Sequence, residues 1–174
     1  MLTLAEETPG DWWEVEALYD LCFAPGREAL SSYRLRDGVA PVGPLCLTLR
    51  DREGILVGAI RYWPVRVGGQ EALLLGPVAV HPTRQGEGLG GLLMSESLAI
   101  ARAMGVARVM LVGDAPYYGR FGFRRLPDVI MPPPTNPART SSRSSPPTAL
   151  APTTSKPSKP RYPNWKSSPL VASM

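Results

Sequence analysis

Val78-Ala79-Val80-His81-Pro82-Thr83-Arg84-Gln85-Gly86-Glu87-Gly88-Leu89-Gly90-Gly91 runs from an apolar, β-branched segment through four closely spaced glycines. Beyond it, Leu92, Leu93, Ile100 and Met104 continue a stripe begun by Leu89 at helical spacing. Gly105 stands where that helix should end, and Val106 to Val112 reads as a further strand. The central unit is therefore strand, glycine-rich turn, helix, strand. Such a turn brings its backbone N–H groups together at a helix N-terminus, where the helix dipole adds roughly half a unit of positive charge. Glycine keeps side chains out of the way and permits positive φ. The result is a cradle for an anion such as a diphosphate.

Upstream, Leu2 to Leu4 reads as a strand, and Thr8-Pro9-Gly10-Asp11 as a helix start with Thr as cap and Asp three residues on. Trp12, Val15, Leu18, Tyr19 and Cys22 then share one face of a helix, leaving Glu14, Glu16 and Asp20 in water. Arg27 to Arg36 suggests a second short helix. Leu45 to Leu49, Ile55 to Val67 and Ala72 to Val80 read as strands of an antiparallel meander, with turns at Asp51 to Gly54 and Gly68-Gly69. Trp12 and Trp63 are assigned to core packing rather than to a pocket.

In the glycine-rich loop the chain resembles the GNAT superfamily of N-acetyltransferases, whose loop has the form Gln or Arg, two residues, Gly, one residue, Gly or Ala; Gln85, Gly88 and Gly90 match it. A second motif of that family, Tyr, three residues, Gly-Phe, is matched by Tyr118-Gly119-Arg120-Phe121-Gly122-Phe123. The wording from Gly113 to Phe123 is most similar to the bacterial YhbS-like branch, and the likeness runs from about Leu2 to Pro137. The resemblance implies an α/β fold with a mixed, mostly antiparallel sheet flanked by helices and a V-shaped opening. It implies acetyl-CoA as donor, held by Val78, Ala79, Val80, Gln85, Gly86, Gly88, Leu89, Gly90 and Gly91. It further implies direct attack of a primary amine on the thioester in a ternary complex, a backbone N–H near Val80 polarising the carbonyl, and Tyr118 protonating the departing thiolate. The base that deprotonates the amine is assigned by no motif; His81, Glu71 and Glu87 lie in the right region of sequence.

Other readings of the same residues remain. Gly86, Gly88 and Gly91 also match G-x-G-x-x-G, with Asp114 downstream, but in a dinucleotide-binding fold the glycines follow the first strand directly. Tyr118 beside Phe121 and Phe123 also suits a core aromatic. A catalytically impaired acyl-CoA-binding protein of the same fold is the reading from a different class.

Composition divides the chain. Up to Ala138 there are thirteen arginines, no lysine and fifteen acidic residues; from Arg139 onward there are six basic residues and no acid. The net charge of +4 thus belongs to the tail, which argues against a nucleic-acid surface on the domain. Residues 140–174 hold nine serines and seven prolines, so the division expected is an acetyltransferase domain over 1–138 and a disordered basic tail over 139–174. The family continues after the tyrosine motif with two strands. Leu126 to Met131 suits the first, but Ser and Pro stand where the second should be, so the sheet is expected to lack that strand or to be completed by a partner. No apolar run is long enough to span a bilayer, and Met1 to Gly10 lacks the features of a secretory leader. Cys22 and Cys46 have no metal or disulfide spacing. The expectation is a cytoplasmic, metal-free monomer or homodimer acting on a small-molecule or peptide amine.

Overall fold

The computed structural model describes residues 1–23, 26–126, 129–132 and 168–174. Its frame is a seven-stranded mixed sheet: β1 (Thr3–Glu6), β2 (Leu47–Arg50), β3 (Leu56–Val67), β4 (Gln70–Val80), β5 (Arg108–Gly113), β6 (Arg124–Arg125) and β7 (Ser168–Ser173), in the spatial order β1-β2-β3-β4-β5-β7-β6. All pairings are antiparallel except β4 with β5. The helices are α1 (Trp12–Phe23), the single turn α2 (Ser31–Arg34), α3 (Leu89–Ala103) and the single turn α4 (Ala115–Tyr118).

The helix start at Thr8 forms as its residues dictate. The Thr8 N–H and Oγ1 both donate to Asp11 Oδ2, at 2.8 and 2.7 Å, and the Asp11 N–H returns to the Thr8 carbonyl. That satisfies donors a helix start would otherwise leave orphaned. Val15, Leu18 and Tyr19 of α1 are buried against Leu56, Ala59 and Ala79 of the sheet. On the opposite side, Leu89, Leu93, Met94, Leu98 and Ala101 of α3 join the main core with Leu49, Ile60, Leu75 and Leu111.

Several expectations are corrected. Trp12 is 60% exposed, because it begins α1 on the side turned from the sheet; Trp63 is only half-buried. Glu16 does not face water, since Arg27 and Arg61 both bind it. The short helix over Arg27 to Arg36 is a 3-10 turn at Arg27–Ala29 followed by α2. The strand expected over Leu126 to Met131 is the two-residue β6, one step earlier.

The tail requires the largest correction. Ser168–Ser173 pairs with β5 along its length, from Arg108↔Ser173 to Gly113↔Ser168, and with β6 on its other edge. Leu170 is fully buried in the main core and Ala172 nearly so. The end of the tail therefore supplies the strand expected to be missing, and it is ordered there rather than disordered. Residues 139–167, also expected to be disordered, lie outside the described residues.

Candidate active site

The site begins where β4 and β5 part. They pair only at Leu73↔Val109 and Leu74↔Met110, after which β4 continues to Val80 with no strand on that edge among the described residues, while β5 stays paired with β7 on its other edge. A register shift between Ile60 and Tyr62, opposite Gly76-Pro77, bends β4 at the point of divergence. The backbone beyond the bend has a defined direction. The His81 N–H donates to the Val57 carbonyl on β3, and along a strand these groups alternate in side. Val78 and Val80 therefore turn their N–H and C=O groups away from β3, into the opening, whereas Ala79 turns its own toward β3.

Two side chains anchor the end of this wall. Cys22 Sγ donates to the Val80 carbonyl at 3.3 Å, and Gln85 Nε2 donates to the same oxygen at 3.3 Å. Gln85 thereby ties the glycine loop to β4. Gly86 and Gly88 have φ of +87° and +79°, a region costly for a residue with a Cβ. The first long bond within α3 runs from the Leu92 N–H to the Gly88 carbonyl, so the N–H groups of Leu89, Gly90 and Gly91 have no partner within the helix. A Cβ at Gly90 would lie 3.3 Å from the Tyr117 hydroxyl, so a side chain there would meet the tyrosine segment crossing above.

These elements enclose a groove of about 580 Å³. Of the residues singled out in the sequence, Val80, Gln85, Gly86, Gly88, Leu89, Gly90 and Gly91 line it; Val78 and Ala79 do not. Arg84, Ser95, Tyr117, Arg120 and Phe121 also line it and were missed. A usable signal existed for Arg120, a basic residue three positions after Tyr117, whose guanidinium carbon lies 4.4 Å from the Tyr117 ring centre.

Tyr118 is not in this groove. Its ring packs against Gly113 at the end of β5, edge-on to Tyr117 at 4.9 Å and 6.2 Å from Phe123. Burial, with smaller contributions from Tyr117 and Asp114, pushes its hydroxyl up to about 12. Its ring thus stands at the end of β5.

The three candidate bases are poorly placed. Glu71 sits at the far, hairpin end of β4 beside Arg66, Glu87 is held by Arg84 at 2.6 Å, and His81 Nδ1 is engaged by Thr83. Among the described residues no group of His, Cys, Asp or Glu is arranged to hold a metal, and no helix is long and apolar enough to cross a membrane.

A splayed parallel pair with a glycine cradle at its mouth suits a long ligand with an anionic end. Residues 12–123 match the model of the Acetyltransferase (GNAT) family. The uncharacterised N-acetyltransferase YhbS of Escherichia coli K12 is 35% identical over 120 residues, covering 67% of this chain and 70% of that protein. A GNAT family acetyltransferase from Brucella melitensis, solved in complex with acetyl-CoA, has 32% identity and a TM-score of 0.60, over 78% of this chain and 94% of its own. The crystal structure of Escherichia coli YhbS in complex with CoA has 26% identity and a TM-score of 0.66, over 99% of this chain and 81% of its own. On this match of sequence and fold, the chain belongs to the acetyltransferase (GNAT) family.

Proposed function

We propose that this acetyltransferase joins the acetyl group of acetyl-CoA to a primary amine by direct attack within a ternary complex. The observation that carries the reading is the splay of β4 from β5, with cleft-facing amides on one wall and the glycine cradle at its mouth. When bound, acetyl-CoA supplies a thioester whose C–S bond breaks as the C–N bond forms. The N–H groups of Leu89, Gly90 and Gly91, with Arg84 and Arg120 nearby, hold the diphosphate end. The free N–H of Val78 or Val80 stabilises charge developing on the carbonyl oxygen. The Tyr118 hydroxyl donates a proton to the leaving sulfur; its raised pKa keeps that proton in place at neutral pH. The amine releases its own proton toward solvent.

Direct attack is favoured over an acyl-enzyme by the thiols. Cys22, the cysteine beside the cleft, is pushed up by burial and hydrogen-bonded to the Val80 carbonyl, so it is held as a neutral thiol; Cys46 is buried and raised likewise. A nucleophilic cysteine needs the opposite shift. Two free thiols and a metabolic thioester donor also support a cytoplasmic setting.

The test is to incubate the full chain with acetyl-CoA and a panel of primary amines, following free thiol release and the mass of the acetylated amine. Thiol and product appearing in equal amounts, only when both substrates are present together, is the expected result. CoA binding without turnover on any amine would favour the impaired binding protein instead.

A further inference from the structure

Three arginines, Arg27, Arg36 and Arg61, are buried, and two of them are fully engaged. Arg27 binds Asp20, Glu16 and the Tyr33 hydroxyl; Arg61 binds Glu7 through two nitrogens, at 2.6 and 2.8 Å, and Glu16 through the third. Arg36 differs. It is 9% exposed, no carboxylate among the described residues pairs with it, and its Nε is buried with no hydrogen-bond partner. Its guanidinium carbon lies 4.1 Å from the Tyr33 ring centre and 5.4 Å from that of Trp63. Burial lowers its pKa, offset in part by Tyr33. An unpaired buried cation is costly and is ordinarily neutralised by a partner.

The position of that cation matters. A methyl built on Gly76 would lie 3.9 Å from Arg36 Nη2, and Trp63 Nε1 donates to the Gly76 carbonyl at 3.1 Å, so Arg36 and Trp63 both stand against the bend of β4. Gly76 is two residues before Val78, so the two lie at most about 7 Å apart, the reach of two fully extended residues. The free cation therefore sits within a small molecule's length of the amides assigned to the thioester carbonyl.

Resting on the acetyl-transfer reading above, we propose that the acceptor is a small amine carrying a carboxylate a few bonds from its nitrogen, and that Arg36, beside the rings of Tyr33 and Trp63, binds that carboxylate. One carboxylate matches one unpaired guanidinium in charge and in its two-pronged geometry. Of the three buried arginines, Arg27 and Arg61 are already bound to acids, so among them a phosphate dianion would find no second free cation. The arrangement selects for acids because a neutral acceptor leaves Arg36 buried without a partner.

The test compares initial rates of thiol release for free amino acids and for the same amino acids as carboxamides, with wild-type chain and Arg36→Met. The carboxamide's amine is the less basic and carries more free base at neutral pH, so intrinsic reactivity runs against the expected order. The wild type is expected to favour the acids in kcat/KM by roughly 10²-fold, and Arg36→Met to bring the ratio to about one. A residue serving the fold alone would be missed when removed; here Arg36→Met is expected to melt at the wild-type temperature or above it. Equal use of acids and carboxamides by the wild type, or a preference that survives in Arg36→Met, overturns the proposal. Should no amine turn over, Trp fluorescence is titrated with N-acetyl amino acids and their carboxamides, with and without CoA. Saturable, acid-only binding that Arg36→Met lacks upholds the site; its absence overturns it. Failure of the donor reading shows separately, as a chain that acetyl-CoA does not stabilise.

Discussion

Replacing Gly113 by alanine is expected to disable catalysis from a position that touches no substrate. A Cβ there would stand 2.8 Å from Tyr118 Cδ2, nearer still to Cε2, and 3.1 Å from Leu111 Cδ1. The tyrosine ring has little room to yield, because Tyr117 and Phe123 flank it. Overpacking of this kind costs about 1–3 kcal/mol of stability. If Tyr118 protonates the leaving sulfur as proposed, displacing its hydroxyl should lower kcat about 10²- to 10⁴-fold, as for Tyr118→Phe. The double variant separates the two effects. Phe retains the ring atoms that clash, so Gly113→Ala should destabilise Tyr118→Phe as it does the wild type, yet lower its kcat no further. Urea unfolding and steady-state thiol release read both quantities. Wild-type kcat in Gly113→Ala, or losses that multiply in the double variant, would refute the role given to Tyr118.

Other expectations follow from the same geometry. Leu170→Ala should cost about 2–5 kcal/mol in urea unfolding, because Leu170 is fully buried in the sheet; a leucine in a solvated tail would cost almost nothing. Arg61→Met should cost about 3–5 kcal/mol, since it leaves the nearly buried carboxylate of Glu7 without its partner. Burial alone would raise the Glu16 pKa, but hydrogen bonds from Arg27 and Arg61 outweigh it and hold it low. Its contribution to stability is thus complete above about pH 4.5 and is lost as the pH falls through the depressed folded value; Glu16→Gln should flatten that acid limb in a Tm-against-pH series. With Tyr118 protonated up to about pH 12, kcat should show no alkaline decline assignable to it as far as pH 10, and Tyr118→Phe should lower the profile without changing its shape.

The parts of the fold written in local pattern were legible. The Thr8-Asp11 cap, the β3–β4 hairpin and the strand-loop-helix unit around Gln85 each announce themselves within a dozen residues. What escaped depends on partners distant in sequence. Glu16 reads as a solvated residue of α1 until Arg61, forty-five positions on, is brought beside it. Trp12 fits the helical stripe by spacing, yet at the first position of α1 it lies beyond the reach of the sheet. Ser168 to Ser173 has only three apolar residues and follows a proline-rich stretch, so nothing local marks it as a central strand; the open edge of β5 does. At the site, the glycine loop was readable because its chemistry is backbone chemistry set by consecutive residues. Tyr117 was not, because its part arises from α4 crossing over Gly90.

Thermal unfolding of the whole chain with acetyl-CoA, with NAD and with neither tests the account at its centre, the use of the β4–β5 cleft for an acyl-CoA thioester. At about 100 times its Kd acetyl-CoA should add about 2.7 kcal/mol, a rise in Tm of roughly 5–10 °C, while NAD adds nothing. An equal rise with NAD, or none with acetyl-CoA, would contradict it.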